Sequence, residues 1–268
     1  MGINALHTKY SNWDGAAQMK TFAEGFKPAD TPMRFEYPAI PNYPGYRGAG
    51  TQGVDFDDRV NYARMRDYRV ARTKEQLKAF NVGAILSIQE WNTRYITGTW
   101  TPGWTTPSSG LRYCLLPVTA DSPILYEQGE IGYHTKNMSP WLEKVKVAIT
   151  GAGWSSIVMG KSAQLAQRDK LVTQIMDDLK DYGVANETLA IDVWDPGLVE
   201  GFQAKGVKLI PATEVMLHAR KIKNDDEIEC LRIAAAIGDS EFQTMKDMLK
   251  PGVKENEIMG AMHKTAYD

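Results

Sequence analysis

The chain has 268 residues, a formal net charge of -2 and 24% charged residues. That length suffices for one large domain or two small ones, and the nearly balanced charge gives no global attraction to nucleic acid or to an anionic membrane. No segment approaches the roughly 18 consecutive apolar residues of a transmembrane helix, and the N-terminus lacks a signal-peptide pattern, so we predict a cytoplasmic protein.

Residues 1–55 differ in composition from the rest of the chain. Five prolines between positions 28 and 44 precede four glycines that end at position 53, and Tyr37, Tyr43 and Tyr46 lie among them. Proline fixes φ and removes an amide donor, so this density disfavours regular helix or sheet. A disordered tail normally holds few aromatics. We therefore predict an extended arm that lies on another surface, such as a second subunit.

Residues 56–219 alternate between helical and strand-like patterns. Helices are predicted over 56–80, 161–182 and 197–204, and strands over 82–88, 94–96, 111–118, 123–126, 188–193 and 207–210. The last of these helices has Asp195 as its expected N-cap and Pro196 in its first turn. This alternation predicts an α/β sandwich in which helices cover a sheet.

Residues 220–268 predict two helices separated by a Pro251-Gly252 break. Asn224 or Asp225 is placed to cap the first of them, and Glu227 is placed to reinforce that cap. Apolar side chains recur at helical spacing in a stripe that we expect to face a core: Ile228, Leu231, Ala235, Phe242, Met245 and Leu249.

Two separated stretches carry a family resemblance. Residues 66–98 hold an arginine-rich helix, a strand and an Asn92-x-x-Tyr95-x-x-Gly98 segment, and residues 220–268 hold the two helices described above. In this order they resemble the creatinase, aminopeptidase P and prolidase family of pita-bread metallopeptidases, over about residues 56–268.

The resemblance implies a domain organisation. It places a creatinase-type N-terminal domain, a mixed sheet flanked by helices, over residues 56–219. The first helices of an α+β pita-bread catalytic domain then occupy residues 220–268, so that this catalytic domain is incomplete within the chain. The overall expectation is an α/β protein with an N-terminal arm.

The resemblance also implies an activity. Family members are homodimers that hold two divalent metal ions (Fe, Mn, Zn or Co) with Asp, His and Glu side chains, and most hydrolyse a peptide bond next to proline. Those ligands lie further along the family's catalytic domain, and none of their motifs occurs in residues 220–268. Residues 1–268 alone are therefore expected to lack the metal site and to have little activity, and we assign no catalytic residue and no metal ligand.

Two alternatives stay open. The long arm, the run over residues 65–69 and a tryptophan-rich loop that ends in Arg112 resemble the dimethylsulfoniopropionate lyases, which use the same fold to eliminate dimethyl sulfide. The chain could instead be a non-catalytic binding or assembly subunit that pairs with a catalytic partner.

The best candidate for substrate contact is this loop, which in related dimers reaches into the partner's active site. Its candidate residues are Trp91, Tyr95, Trp100, Trp104 and Arg112. The aromatic rings could enclose a cation at roughly 0.5–2 kcal/mol each, and Arg112 could pair with a carboxylate of a peptide or other small substrate. The competing interpretation is that these aromatics pack at a dimer interface.

Overall fold

Six strands of the described chain form one mixed sheet in the order β4-β3-β2-β1-β5-β6. Their bounds are β1 Ala84–Ser87, β2 Tyr113–Pro117, β3 Ile124–Glu127, β4 Lys144–Val147, β5 Leu189–Ile191 and β6 Leu209–Pro211. β2 runs antiparallel to both β1 and β3, whereas the pairs β3–β4, β1–β5 and β5–β6 are parallel. The predicted α/β architecture with a mixed sheet is confirmed.

The structure is a computed structural model that describes residues 59–99, 110–129, 131–152 and 160–267. Its helices are α1 Tyr62–Ala79, α2 Glu90–Thr97, α3 Gly132–Met138, α4 Lys161–Asp181, α5 Pro196–Gln203, α6 Thr213–Arg220, α7 Asp225–Met248 and α8 Glu255–Tyr267. Within these ranges, we find no helix with both the length and the apolarity to cross a membrane. The predicted arm over 1–55 lies outside the described residues.

The four central strands of the sheet are buried on both faces. Neighbouring residues of a strand point to opposite sides, so each strand contributes to two cores. In β1, Leu86 packs with Ile175 and Phe202 in the core beneath α4 and α5. Its neighbour Ile85 joins the second core, which contains Leu77 of α1 and side chains from α2 and α6. Strands buried in this way read as continuous apolar runs, which is why β1 and β2 could be predicted.

Two helices begin at the capping residues that the sequence predicts. Asn224 caps α7 by accepting a hydrogen bond from the Glu227 amide at 2.9 Å, and Glu227 accepts from the Asn224 amide at 3.3 Å. Asp195 caps α5 by accepting from the Leu198 amide at 2.9 Å. Gly183 follows α4 with φ +72°, a backbone conformation that glycine adopts without steric cost.

The predicted strand over residues 94–96 is wrong, because these residues lie in α2. Tyr95 and Ile96 are strand-forming residue types, but both are buried in the core that α1 and β2 share. The helix ends at Gly98, which has φ +67°. Burial in the tertiary structure favours a helix here, although the local residue propensities favour a strand. The pattern also missed α3 and the edge strand β4, a half-exposed Lys-Val-Lys-Val segment.

The apolar stripe of α7 does not face a core in the described structure, which corrects the expectation. Leu231 is 57% exposed, Phe242 62% and Leu249 69%. Ile228 and Met245 are half-buried, and α7 packs against α8. The period of the pattern therefore predicts the helix correctly, but not what covers it.

Candidate functional site

Of the five predicted site residues, Trp91, Tyr95 and Arg112 are described, whereas Trp100 and Trp104 lie outside the described residues. Trp91 and Tyr95 are one turn apart on α2 but have different surroundings. Trp91 is 47% exposed, and its indole N–H donates to Oε1 of Gln89 at 2.8 Å. Among the described three, only Trp91 offers a ring to an incoming ligand.

Tyr95 is buried and ties α2 to the end of α6. Its hydroxyl donates to the Ala219 carbonyl oxygen at 3.1 Å, and the guanidinium carbon of Arg69 lies 5.0 Å from the ring centre. Burial raises the pKa of the Tyr95 phenol, and the negative charge of Glu227 raises it further. The phenol therefore stays neutral at physiological pH and acts as a hydrogen-bond donor.

Arg112 is held in a buried ion pair. Its Nε lies 2.8 Å from Oε2 of Glu127, and the side chains of the two residues are 4% and 1% exposed. The β2–β3 register pairs Tyr113 with Tyr126, so Arg112 and Glu127 occupy the next opposed positions. A substrate carboxylate would have to compete with Glu127 for this guanidinium.

The ion pair is part of a wider polar network that includes Thr99 and Thr135. Arg112 Nη2 donates to Thr99 Oγ1 at 2.5 Å, and Thr135 Oγ1 donates to Glu127 Oε2 at 2.9 Å. Thr99 and Arg112 flank the loop in sequence, so the contact between them joins the chain on either side of it. The arrangement supports a positioning role for Arg112.

The sequence analysis did not predict the contacts of Trp141. The indole N–H of Trp141 donates to the Thr97 carbonyl oxygen at 2.8 Å, and the guanidinium carbon of Arg66 lies 3.9 Å from its ring centre. Forty-four residues separate Trp141 from Thr97, and no local pattern signals such a distant pair. The contact joins α1, the end of α2 and the segment before β4.

A second polar cluster lies where β1 and β5 end, at the edge where open α/β sheets commonly bind ligands. Asp192 accepts hydrogen bonds from Ser87 Oγ at 2.6 Å, from the Ile88 amide at 2.7 Å and from Asn92 Nδ2 at 3.0 Å. Burial raises the pKa of Asp192, and the hydrogen bond from Ser87 is the largest opposing influence. Both carboxylate oxygens already accept protein donors, so this cluster fastens the turn between β1 and α2.

The side chains of the described ranges do not fit a divalent metal pair. No group of three or more His, Cys, Asp or Glu side chains among them could hold a metal ion. Asp195, which follows Asp192 closely in sequence, uses its side chain to cap α5. We therefore assign no catalytic step to a metal held by these residues.

Comparison with known proteins identifies the family. Residues 69–222, more than half of the chain, match the family model of the Creatinase/Prolidase N-terminal domain. The chain belongs to this family. The match includes the whole six-stranded sheet and the helices α2 to α6. No curated protein matches the sequence significantly.

Solved structures of prolidases and a Xaa-Pro dipeptidase are similar to this chain in fold. A Xaa-Pro dipeptidase from Bacillus anthracis aligns with a TM-score of 0.53 at 15% identity, over 77% of this chain and 49% of its own. A recombinant prolidase from Thermococcus sibiricus gives 0.53 at 20% identity, over 78% and 50%. The prolidase from Pyrococcus horikoshii OT3 gives 0.51 at 18%, over 74% and 48%. The chain thus spans about half the length of these proteins.

Proposed function

We propose that this chain forms the N-terminal part of a Xaa-Pro peptidase-like hydrolase that works with two divalent metal ions as a cytoplasmic homodimer. The family match and the prolidase-like fold support a peptidase-type protein. In this proposal the creatinase-type domain comprises residues 56–219, and residues 220–268 begin the catalytic domain.

The observation that carries the proposal is the exposed apolar stripe of α7. Leu231, Phe242 and Leu249 lie along one side of this helix, and each is more than half exposed. A helix in water gains stability by burying such a stripe, and exposed patches of this kind mark interaction sites. We propose that a metal-bearing catalytic half covers the stripe, and that the Fe, Mn, Zn or Co ions and their ligands belong to that half.

The test uses the protein isolated from its native source. We expect about two divalent ions per subunit, as in dimetal hydrolases, and hydrolysis of Ala-Pro well above that of Ala-Ala. Residues 1–268 produced alone are expected to have little activity. A protein that is metal-free and inactive on both dipeptides would contradict the proposal and favour the assembly subunit. Release of dimethyl sulfide from dimethylsulfoniopropionate without peptide hydrolysis would favour the lyase.

The aromatic loop is proposed to contact substrate in the full protein. Trp91→Ala and Trp104→Ala are expected to lower kcat/KM for the preferred substrate, because each change removes a ring that could enclose it. Trp194→Ala is the matched control, since Trp194 is half-exposed and lies on another loop. An unchanged kcat/KM in both the Trp91→Ala and the Trp104→Ala variant, with the oligomer intact, would remove these two rings from the site.

A further inference from the structure

The first turn of α7 is where this helix meets the α/β domain. Within the described chain, the buried residues of α7 are all carboxylates near its N-terminal end, namely Asp226, Glu227 and Glu229. No described residue of α8 is buried. The hairpin formed by α7 and α8 is therefore held to the domain near one end.

Arginines of α1 neutralise two of these carboxylates at close range. Arg64 binds Asp226 in bidentate fashion, with Nε 2.7 Å from Oδ2 and Nη2 2.8 Å from Oδ1. Arg69 Nε lies 2.8 Å from Glu227 Oε1. The bidentate pair of Arg64 with Asp226 fixes orientation as well as distance.

A third pair and the connecting segment complete the contact. Arg59 Nη1 lies 3.9 Å from Glu229 Oε1. Residues 221–223, which connect α6 to the cap of α7, are exposed, and the Tyr68 hydroxyl donates to the Ile222 carbonyl oxygen at 3.1 Å. A short exposed connection next to a charged contact is a suitable place for a hinge.

We propose that the three ion pairs form an ionic joint that sets the direction of the α7–α8 hairpin, with residues 221–223 as its hinge. A buried carboxylate that loses its arginine is strongly unfavourable. Rotation of the hairpin away from α1 would return that carboxylate to water. Loss of the arginines is therefore relieved by movement of the hairpin, while the sheet, whose cores do not include α7, stays folded.

The joint can be tested by measuring a distance between the two regions. Spin labels at Lys170→Cys on α4 and Lys246→Cys on α7, in a Cys230→Ser background, report the hairpin direction by pulsed electron paramagnetic resonance; all three positions lie outside both cores. We expect one narrow distance distribution in the parent, and at least a twofold broader one in Arg64→Gln/Arg69→Gln. The near-ultraviolet circular dichroism of the domain is expected to stay unchanged.

Matched control variants distinguish the loss of the ionic joint from a general loss of positive charge on α1. Arg72→Gln/Lys78→Gln removes two positive charges from the same helix without touching the α7 carboxylates, and is expected to keep the narrow distribution. Arg64→Gln alone is expected to give intermediate broadening, since that side chain is already 60% exposed. Unchanged distributions in both joint variants, or loss of the folded sheet in both, would overturn the proposal.

Discussion

The helices of the α/β domain and of the α7–α8 hairpin both carry apolar residues at helical spacing, but their surroundings differ. In the domain, the helices and strands bury apolar side chains in two cores, one on each face of the sheet. In the hairpin, the stripe of α7 is mostly exposed, and the buried residues of α7 are acidic. Periodicity thus specifies a helix and its apolar side, whereas the partner that covers this side depends on residues elsewhere.

The largest expected difference is between two phenylalanines, one in each region. Phe202 is fully buried under the sheet and Phe242 is mostly exposed on α7. Phe202→Ala should lower the free energy of unfolding of the domain by about 3–5 kcal/mol, because it leaves a cavity. Phe242→Ala should change it by no more than about 0.5 kcal/mol. Urea unfolding of both variants measures this, and equal losses would mean that the hairpin belongs to the same core.

The second prediction concerns the buried ion pair between Arg112 and Glu127. Arg112→Gln should destabilise the domain by about 3–5 kcal/mol, because Glu127 is left buried without its partner. Arg72→Gln is the control: it breaks a pair with Glu75, which is largely exposed, and should cost about 1 kcal/mol or less. Thermal unfolding compares the two variants.

A double variant distinguishes positioning from substrate contact at Arg112. Arg112→Met/Glu127→Leu should recover most of the stability, since it removes both buried charges at once. If Arg112 only positions the loop, kcat/KM of the full protein should recover as well. If stability returns while kcat/KM stays low, Arg112 binds substrate and the positioning role is wrong.

A smaller effect is expected at the cap of α7. Asn224→Ala removes the side-chain acceptor for the Glu227 amide and should cost the helix about 0.5–2 kcal/mol. Amide exchange in the first turn of α7 should rise while the strands of the sheet stay protected. Ser240→Ala, an exposed change in the middle of the same helix, serves as the control. If amide exchange rose equally in the sheet, the hairpin and the α/β domain would not open independently of each other.

The smallest expected effect is that of acid on the joint. Burial alone would raise the pKa of Asp226, but the hydrogen bonds from Arg64 and Asn61 outweigh it, and the pKa lies below its usual range. The stabilisation is thus complete above the unfolded pKa of about 3.9 and is lost as pH falls through the folded value. The loss should be about 1 kcal/mol or less, because Arg64 is mostly exposed.

Comparison with Asp226→Asn between pH 5 and pH 3 isolates this contribution. The difference in stability between the parent and the variant should shrink as the pH falls below the unfolded pKa, because the unfolded chain then binds a proton at Asp226 more readily than the folded ion pair does. A difference that stays constant over this range would mean that ionisation of Asp226 does not contribute to the contact.

Much of the fold could be predicted because its signals are local. Continuous apolar runs indicated β1 and β2, and Asn224 and Asp195 marked the starts of helices through contacts only a few residues away. The segment over 94–96 was predicted incorrectly since its helical conformation depends on burial against α1 and β2. The strand β4 was missed because a short edge strand needs little apolar residue content.

The site was harder to predict, because its contacts join distant residues. Arg112 and Glu127 are 15 residues apart, and only the pairing of β2 with β3 brings them together. If the β2–β3 register were known, the opposite charges at these two opposed positions would indicate the ion pair. The contact of Trp141 with Thr97 has no comparable signal, because it depends on how separate elements pack.

Hydrogen exchange across residues 1–268 tests the central claim, that the α/β domain is a self-sufficient core and that, among the described residues, the hairpin is held to it near the N-terminal end of α7. Amides of β1, β2 and β5 should exchange only through global unfolding, whereas those of α7 beyond Glu229 should exchange faster by roughly a hundredfold or more, as in locally unfolding segments. Equal protection of α7 and β1 would contradict the account, because the hairpin would then share the stability of the core.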